Sequence, residues 1–407
     1  MYKIERASLK NRDDTMQSLG SNLFEHYKHI DSLISETKDL GAGGNGSVLV
    51  GKVKFMKESY PIESMIAIKT SKHRISENGE DSEGGIGDSI HYEFQIMKQI
   101  NTLLHIVPNF PTCLLYLKCD TEDPHKKLCD ASGIPSKNQR EYILQEKIDG
   151  KPIREFLEEM KSGETNSECM WLSILLQILV ALQVAQDYIE FTHYDLHSSN
   201  FIIRKIESTH NVVMQVEMKS GEKINLPTFN YIPIIIDFGR AHVYMKKQPR
   251  YLANEVSFNN HFTYADGTKT VLATKFSSVY DLVEITRSMF KKYPADTIDE
   301  ELFDIEEQML KNYGGSYDEE HYSLPQSEDG PYKKPMDIIK KLLSTQLATR
   351  MIDEANKGSP KVFSWKSKEY LPDPIKYGVQ SAREATSREA TSREATSREA
   401  PDNQRNR

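Results

Sequence analysis

The sequence is poor in cysteine, and the spacing of its cysteines argues against two classes of protein. Four occur among 407 residues, and none of them forms a C-x-x-C pair: Cys113, Cys119, Cys129 and Cys169. A structural zinc site and a disulfide framework both depend on characteristic cysteine spacings, so neither is expected. We therefore expect reduced thiols and an intracellular, cytoplasmic protein.

Apolar segments long enough to cross a membrane are also scarce. The longest, WLSILLQILVALQVA at 171–185, is interrupted by glutamines and is shorter than the roughly 20 residues that span a bilayer. It is typical of a buried helix in a globular core. The first residues, MYKIERASLKNRDD, are too polar for a signal peptide. We expect no membrane partner.

An excess of positive charge is absent as well. Lys and Arg number 52 against 60 Asp and Glu, which gives a net charge of −8. Such a chain has no general electrostatic attraction for a phosphate backbone, so we expect no nucleic-acid partner. With 38% hydrophobic and 28% charged residues, it has the composition of a soluble protein, long enough for one large bilobed domain or two smaller ones.

The order of patterns along the chain predicts an α+β fold. Two β-rich segments at 48–56 and 65–70 come first, followed by a helical segment at 91–104. A strand at 141–148 and a long helix at 171–190 come next, and the later part is mostly helical. Strands followed mainly by helices indicate two unequal lobes.

A glycine-rich turn lies between the first predicted strands. The segment LGAGGNGSV at 40–48 places Gly41, Gly43 and Gly46 in a G-x-G-x-x-G pattern. Glycines let backbone N–H groups approach a phosphate closely, although a plain hairpin turn would show the same pattern. A strand follows the turn where a dinucleotide-binding motif would have a helix, which argues against a Rossmann fold.

Two charged residues follow at positions that admit two interpretations. Lys69 ends the apolar strand IAIK, and Glu93 lies near the start of the next helix. Each could be a solvated surface charge. If the two are buried together, Lys69 becomes a positioned cation suited to binding phosphates.

A polar loop and a strand end supply the remaining candidates. The loop HYDLHSSN at 193–200 carries Asp195 and Asn200 between two apolar segments, and IIIDFG at 234–239 ends in Asp237 and a glycine. Polar clusters between buried elements are costly unless they are used. A strand that delivers an aspartate into a glycine turn suits a metal-binding carboxylate, although a simple β-turn is the alternative.

These four motifs, in this order, resemble those of the protein kinase superfamily over roughly residues 35 to 350. The resemblance implies a bilobal fold with a small β-rich N-lobe and a mainly helical C-lobe. Its boundaries would be an N-terminal extension at 1–34, the N-lobe at 35–148, the C-lobe at 149–360 and a tail at 361–407. The tail contains the repeat SAREATSREATSREATSREA, which has no large apolar residue and is expected to be disordered.

The resemblance also implies the cofactors, ATP and Mg²⁺, and a role for each candidate residue. Lys69 would hold the α- and β-phosphates and pair with Glu93, while Asp195 would accept the proton of the substrate hydroxyl. The glycines Gly41, Gly43 and Gly46 would cover the phosphates, and Leu40, Val48 and the backbone from Glu146 to Ile148 would contact the adenine. Asn200 and Asp237 would bind Mg²⁺, and His197 could reach a γ-phosphate oxygen. Asp281 would support the loop.

Several positions depart from the usual pattern of the superfamily. Tyr194 replaces the arginine before the catalytic aspartate, His197 replaces a lysine, and no A-P-E motif follows D-F-G. An insert at 204–231 is expected to form an enlarged hairpin. This combination resembles divergent Ser/Thr kinases of large DNA viruses and haspin-like kinases, and a viral protein of this kind would act in the host cell. The string D-L-H-x-x-N is also similar to that of aminoglycoside and choline kinases.

Three functions remain open at this level. The first is an Mg²⁺-dependent serine/threonine-protein kinase, which would bind a protein substrate whose identity the sequence leaves open, as it does the oligomeric state. The second is a small-molecule kinase of the aminoglycoside or choline kinase type, because of His197 and the missing A-P-E. The third is an ATP-binding pseudokinase that serves as a scaffold, which the intact set of polar residues argues against.

Overall fold

The computed structural model describes a little over half of the chain. The TSREA repeat at 381–400, the segment at 245–275 and the tip of the glycine-rich turn at 44–45 lie outside the described part. The described residues are 3–6, 17, 19–21, 23, 34–43, 46–57, 60–71, 89–120, 139–160, 166–208, 210–244, 276–289, 307, 333–357, 360–365, 369–370 and 378–380.

A six-stranded antiparallel sheet contains the first β-rich segments. In space its strands are ordered β1-β5-β6-β4-β3-β2. The first strand pairs with β5, although the sequence places it in an extension before the fold. The strands are β1 (Lys3–Arg6), β2 (Ile34–Gly43), β3 (Gly46–Lys57), β4 (Tyr60–Ser71), β5 (Cys113–Asp120) and β6 (Gln139–Glu146).

Both faces of this sheet are buried. In β6, Tyr142 and Leu144 belong to one apolar cluster, whereas Ile143 between them belongs to another. Successive side chains of a strand point to opposite faces, so the alternation shows that each face packs against its own core. Leu19 and Leu23 belong to the cluster on the first face, and both are fully buried.

Helices supply the other half of the α+β fold. Those whose bounds the structure describes are α1 (Ser89–Ile100), α2 (Ile153–Met160), α3 (Ser167–Ile189), α4 (Tyr280–Met289), α5 (Pro335–Leu343) and α6 (Gln346–Asn356). In α1 the buried residues Ile90, Phe94 and Met97 recur at helical spacing, and Glu93 lies on the same buried stripe. The sequence of α1 therefore turns a carboxylate toward the protein interior.

Helix α3 is the central element of the largest apolar cluster. It is apolar around its whole circumference, and α5 and α6 pack against it. By length and composition alone it could cross a membrane, but 94% of its most apolar window is buried within the protein. It ends at Glu190, whose left-handed backbone (φ 48°) donates its N–H to Gln186. The chain then turns into the HYDLHSSN loop.

A small sheet brings the HYDLHSSN loop next to the D-F-G string. Its strands β7 (Gly150–Pro152), β8 (Phe201–Lys205) and β11 (Tyr231–Ile235) are ordered β11-β8-β7. Strands β8 and β11 are antiparallel, and Phe201 pairs with Ile235. This register places Asn200, just before β8, beside Ile236, just after β11, and the Ile236 N–H donates to the Asn200 carbonyl oxygen (3.0 Å).

The predicted insert hairpin is confirmed, but it belongs to a larger sheet. Strands β9 (Val212–Glu217) and β10 (Lys223–Pro227) are antiparallel neighbours. Three strands from the predicted tail complete a sheet ordered β13-β12-β9-β10-β14. They are β12 (Lys361–Ser364), parallel to β9, then β13 (Glu369–Tyr370) and β14 (Gly378–Gln380). The described residues 361–364, 369–370 and 378–380 of the predicted tail therefore extend this sheet instead of standing apart from it.

Candidate active site

A buried lysine joins two carboxylates from distant parts of the chain. Lys69 Nζ lies 2.8 and 2.7 Å from the two carboxylate oxygens of Glu93, and 2.7 Å from Oδ1 of Asp237. The side chains of Lys69 and Glu93 are almost fully buried, whereas that of Asp237 is 38% exposed. The cluster is thus closed on the Glu93 side and more open on the Asp237 side.

Three elements bring this cluster together. Lys69 stands on β4, Glu93 on the inward stripe of α1, and Asp237 two residues beyond the end of β11. Glu93 also accepts the backbone N–H of Phe238 (3.2 Å), which fixes the residue next to Asp237. The predicted pairing of Lys69 with Glu93 is confirmed.

Lys69 and Asp237 stabilise each other's charged forms. Burial alone would lower the pKa of Lys69, but the carboxylates of Glu93 and Asp237 raise it above its ordinary value. Burial would likewise raise the pKa of Asp237, but the Lys69 ammonium holds it below its ordinary value. Lys69 and Asp237 therefore stay charged at neutral pH, which a site for phosphates and a cation requires.

The glycine-rich segment and Lys69 lie at the same level of the sheet. Gly41 pairs with Val48 on β3, and Val48 pairs with Lys69 on β4. Gly41 on β2 and Lys69 on β4 therefore lie on the two strands that flank β3, opposite the same residue. Leu40 is 55% exposed at the edge of this region, so it is accessible to a ligand.

The strand end at Glu146 is tied to its surroundings by its side chain. The carboxylate of Glu146 accepts hydrogen bonds from the backbone N–H and hydroxyl of Thr112 (3.0 and 2.8 Å) and from Arg204 (2.5 Å). Ile148 packs with Ile232 and Ile234. Both side chains are thus occupied in structure, so a ligand contact here would come from the backbone, as the resemblance implies.

The HYDLHSSN loop is a compact structure held by its own polar groups. Asn200 Nδ2 donates to the carbonyl oxygen of Asp195 (2.7 Å), and the His197 N–H donates to the same oxygen (3.0 Å). Nδ1 of His197 accepts the N–H of Ser199 (3.2 Å). The amide nitrogen of Asn200 is thereby directed at the loop backbone, which turns its Oδ1 away from Asp195.

Asp281 on α4 supports this loop from below. Its two carboxylate oxygens accept the backbone N–H groups of His193 (2.7 Å) and Tyr194 (3.0 Å), as the resemblance implies. Burial raises the pKa of Asp281 to about 7, although both backbone hydrogen bonds act to lower it. Tyr194 adopts a left-handed backbone (φ 62°), which costs roughly 1–2 kcal/mol for a side chain of this kind and which these bonds help to hold.

Aromatic side chains pack beneath the polar residues. The Phe238 ring lies 5.5 Å from the ring of His193 and 6.2 Å from that of Phe191 (centroid distances). Burial lowers the pKa of His193, so its ring is neutral, and Nε2 donates to the carbonyl oxygen of Ile236 (3.0 Å). This donation links the HYDLHSSN loop to the residue before Asp237.

Sequence reasoning missed one residue in contact with Asp195. Nη1 of Arg240, the residue after the D-F-G string, lies 3.1 Å from Asp195 Oδ1. By comparison, Nε2 of His197 is 3.9 Å from the same oxygen. The sequence offered one signal for this contact: Arg240 directly follows D-F-G, while Tyr194 replaces the usual arginine before Asp195.

Comparison with known proteins gives partial similarities to viral proteins. No family model matches the chain. Over 114 residues it is 33% identical to the "Probable kinase 098L" of Invertebrate iridescent virus 3, an alignment that covers 28% of this chain and 20% of that protein. Over 198 residues it is 26% identical to the "Uncharacterized protein 179R" of Invertebrate iridescent virus 6, covering 47% and 15% respectively.

A third relative extends the same pattern. The chain is 29% identical over 160 residues to the "Uncharacterized protein 038R" of Invertebrate iridescent virus 3, covering 38% of this chain and 28% of that protein. The alignments thus span between 15% and 28% of the length of these three relatives. The chain is therefore similar, over part of its length, to a probable viral kinase.

Proposed function

We propose that the chain is a kinase with a bilobal, protein-kinase-like fold that transfers a phosphoryl group from ATP to Ser/Thr hydroxyls of a protein. The observation that carries the proposal is the buried contact of Lys69 with Glu93 and Asp237. A lysine held between two carboxylates, at the same level of the sheet as a glycine-rich segment, is a positioned cation for nucleotide phosphates. The partial similarity to a probable viral kinase supports the assignment as a kinase.

In this reaction the residues of the site have separate tasks. Lys69 binds the α- and β-phosphates, and the backbone of Gly41, Gly43 and Gly46 covers them. Asp195 orients the substrate hydroxyl and takes its proton. The hydroxyl oxygen forms a bond to the γ-phosphorus while the bond from that phosphorus to the bridging oxygen breaks, and ADP leaves with the electron pair.

The donor set fits a magnesium ion. Mg²⁺ is usually bound through one or two carboxylates together with substrate phosphates. Asp237 supplies a carboxylate, and Asn200 supplies an amide oxygen that is turned away from Asp195. When bound, the ion would neutralise charge on the phosphates.

The charged residues also bear on the alternative functions. A scaffold that only binds ATP has no need of Asp195, whose side chain remains accessible (23% exposed) beside Arg240. The small-molecule alternative is retained because His197 occupies the position of the usual lysine.

The test is phosphoryl transfer by the purified chain with labelled ATP and Mg²⁺. Protein acceptors are offered beside choline and aminoglycosides, so the labelled product identifies the acceptor class. Label on protein serine or threonine supports the proposal, and label on the small molecules alone supports the second function. Nucleotide binding without transfer to any acceptor would support the scaffold.

Two variants with different expected defects sharpen this test. Asp195→Asn keeps the shape of the side chain but removes the base, so turnover should fall by a factor of about 100 or more while nucleotide binding is retained. Asp237→Asn removes a metal ligand, so turnover and Mg²⁺-dependent nucleotide affinity should both fall. Nucleotide titration with and without Mg²⁺ separates the two defects, and the reverse pattern would exchange the assigned roles.

A further inference from the structure

Arg240 forms the closest charged contact of Asp195 among the described residues. Its Nη1 lies 3.1 Å from Asp195 Oδ1, and both side chains are about one-quarter exposed. The pair therefore lies at the surface of the site and not in the core, so a bound ligand can reach it. An arginine keeps its positive charge at every physiological pH.

The backbone around Arg240 is anchored on both sides. The Ala241 N–H donates to the Phe238 carbonyl oxygen (3.1 Å), and the Tyr92 hydroxyl donates to the Ala241 carbonyl oxygen (2.6 Å). One residue further on, His242 exchanges two backbone hydrogen bonds with Thr192 (2.7 and 3.0 Å). Because these bonds fix the neighbouring residues, Arg240 extends from a held backbone position toward Asp195.

The HYDLHSSN loop itself contains no lysine or arginine. Its His197 lies farther from Asp195 than Arg240 does, with Nε2 3.9 Å from Oδ1. Its Nδ1 already accepts the N–H of Ser199. Phosphoryl transfer spreads negative charge over the oxygens of the transferred group, and a fixed positive charge stabilises this transition state.

We propose that Arg240 is a catalytic residue that contacts the phosphoryl group during its transfer and supplies the fixed positive charge beside Asp195. A guanidinium has five N–H donors in a planar fork, so it can keep its contact with a carboxylate while it donates to a phosphoryl oxygen. The same contact directs Asp195 toward the substrate hydroxyl. This inference rests on the proposed phosphoryl transfer.

The first test uses a mimic of the transferred group. Affinities for ADP·Mg²⁺ are measured with and without aluminium fluoride, which forms a flat, anionic analogue of the phosphoryl group. Wild type should bind the fluoride complex more tightly than ADP·Mg²⁺. Arg240→Ala should lose most of that gain, by a factor of about 100, while its affinity for ADP·Mg²⁺ changes little. Arg350→Ala, which removes an exposed arginine paired with Glu168, is the matched control and should retain the gain.

The second test asks whether the charge itself is what matters. Millimolar guanidinium chloride should restore part of the turnover of Arg240→Ala, whereas sodium chloride or urea at the same concentration should not. Arg240→Lys, which keeps a positive charge, should be more active than Arg240→Gln, and this pair serves if the alanine variant folds poorly. A structural role alone would predict no rescue by guanidinium.

The outcomes separate this inference from the proposed function. If the wild type transfers phosphate but the Arg240 variants match it, or lose affinity for both complexes equally, the inference is overturned and the kinase assignment stands. If the wild type gains affinity with aluminium fluoride through Arg240 but labels no acceptor, the contact of Arg240 with the phosphoryl group is supported, whereas the transferase function and with it the catalytic role of Arg240 are overturned. Failure of the wild type to bind ADP·Mg²⁺, or to gain affinity with aluminium fluoride, overturns the inference.

Discussion

Burial and charge are coupled at Lys69, so its replacement should affect stability as well as activity. Lys69→Met would leave the buried carboxylate of Glu93 without its cation, and breaking a buried pair in this way costs roughly 3–5 kcal/mol. The free energy of unfolding, measured by urea denaturation, should fall by an amount of that order.

A second lysine of the same sheet provides the control. Lys52 on β3 contacts Glu63 at 2.7 Å, but this pair is exposed to solvent. Lys52→Met should leave the free energy of unfolding and the nucleotide affinity almost unchanged. An equal loss of unfolding free energy in the two variants would contradict the prediction that burial makes the Lys69 contacts important for stability.

Asp281 should make the stability of the protein depend on pH. Because its pKa is raised to about 7 in the fold, the folded state binds a proton more tightly than the unfolded state does. Its contribution to stability is therefore complete below about pH 4 and is lost as the pH rises through 7. Asp281→Asn has no such titration, and its amide faces one of the two N–H donors unfavourably.

The difference between the two proteins isolates this effect. The free energies of unfolding of the wild type and of Asp281→Asn are compared at pH 5 and pH 8. The wild type should be the more stable at pH 5, and the gap should narrow at pH 8. Both proteins retain His193, so its titration cancels in the comparison. A gap that stays constant or widens with pH would contradict the prediction.

The motifs, and the resemblance to protein kinases that they carry, predicted some of the site contacts and not others. The contact of Lys69 with Glu93 and the support by Asp281 follow from motifs that keep their residue types and order. Arg240 could not be predicted in this way, because its contact with Asp195 depends on where the backbone after D-F-G runs. That path is fixed by the Thr192–His242 bridge, which joins residues that no local pattern relates.

At the scale of secondary structure, strands β12 to β14 divide the predicted tail into two parts. Truncation after Gln380 removes the repeat, which has no large apolar residue, so turnover and stability should stay nearly unchanged. Truncation after Pro360 also removes β12, β13 and β14, of which β12 pairs with β9 and β14 pairs with β10. It further removes the hydrogen bond from Trp365 Nε1 to the Leu104 carbonyl oxygen (3.0 Å). We expect this shorter chain to unfold at a clearly lower temperature in calorimetry.

Local sequence patterns predicted individual helices and strands better than they predicted which strands pair with each other. The apolar composition of α3 and the short apolar run at 142–144 in β6 are properties of short segments, so both elements were predicted, with ends displaced by a few residues. The pairing of β1 with β5 and of β12 with β9 was missed, because sequence periodicity carries no information on which distant strand completes a sheet. Pro61 lies between the two predicted strand segments at 48–56 and 65–70, but the structure places it in β4 opposite Met56, near the end of the hairpin.

At the scale of the whole molecule, regulation should not require phosphorylation of the segment after D-F-G. Tyr194 occupies the position where an arginine would bind such a phosphate. It is buried and packs on Tyr280, with ring centroids 4.8 Å apart. Activity should therefore survive phosphatase treatment, measured as turnover before and after the phosphatase is removed. A strong loss would show that another cation binds a phosphate.

The parallel pairing of β12 with β9 also has a consequence for biosynthesis. Lys361 pairs with Val212, so strands about 150 residues apart must meet before this sheet is complete. On the ribosome, β9 and β10 emerge long before β12 and β14 are made, and until then both hairpin strands have unpaired edges that favour association with other chains. Chaperone binding during synthesis should therefore matter more for correct folding of the sheet that contains β9 and β12 than for the sheet that carries Lys69. All six strands of the Lys69 sheet come from the first 146 residues of the chain.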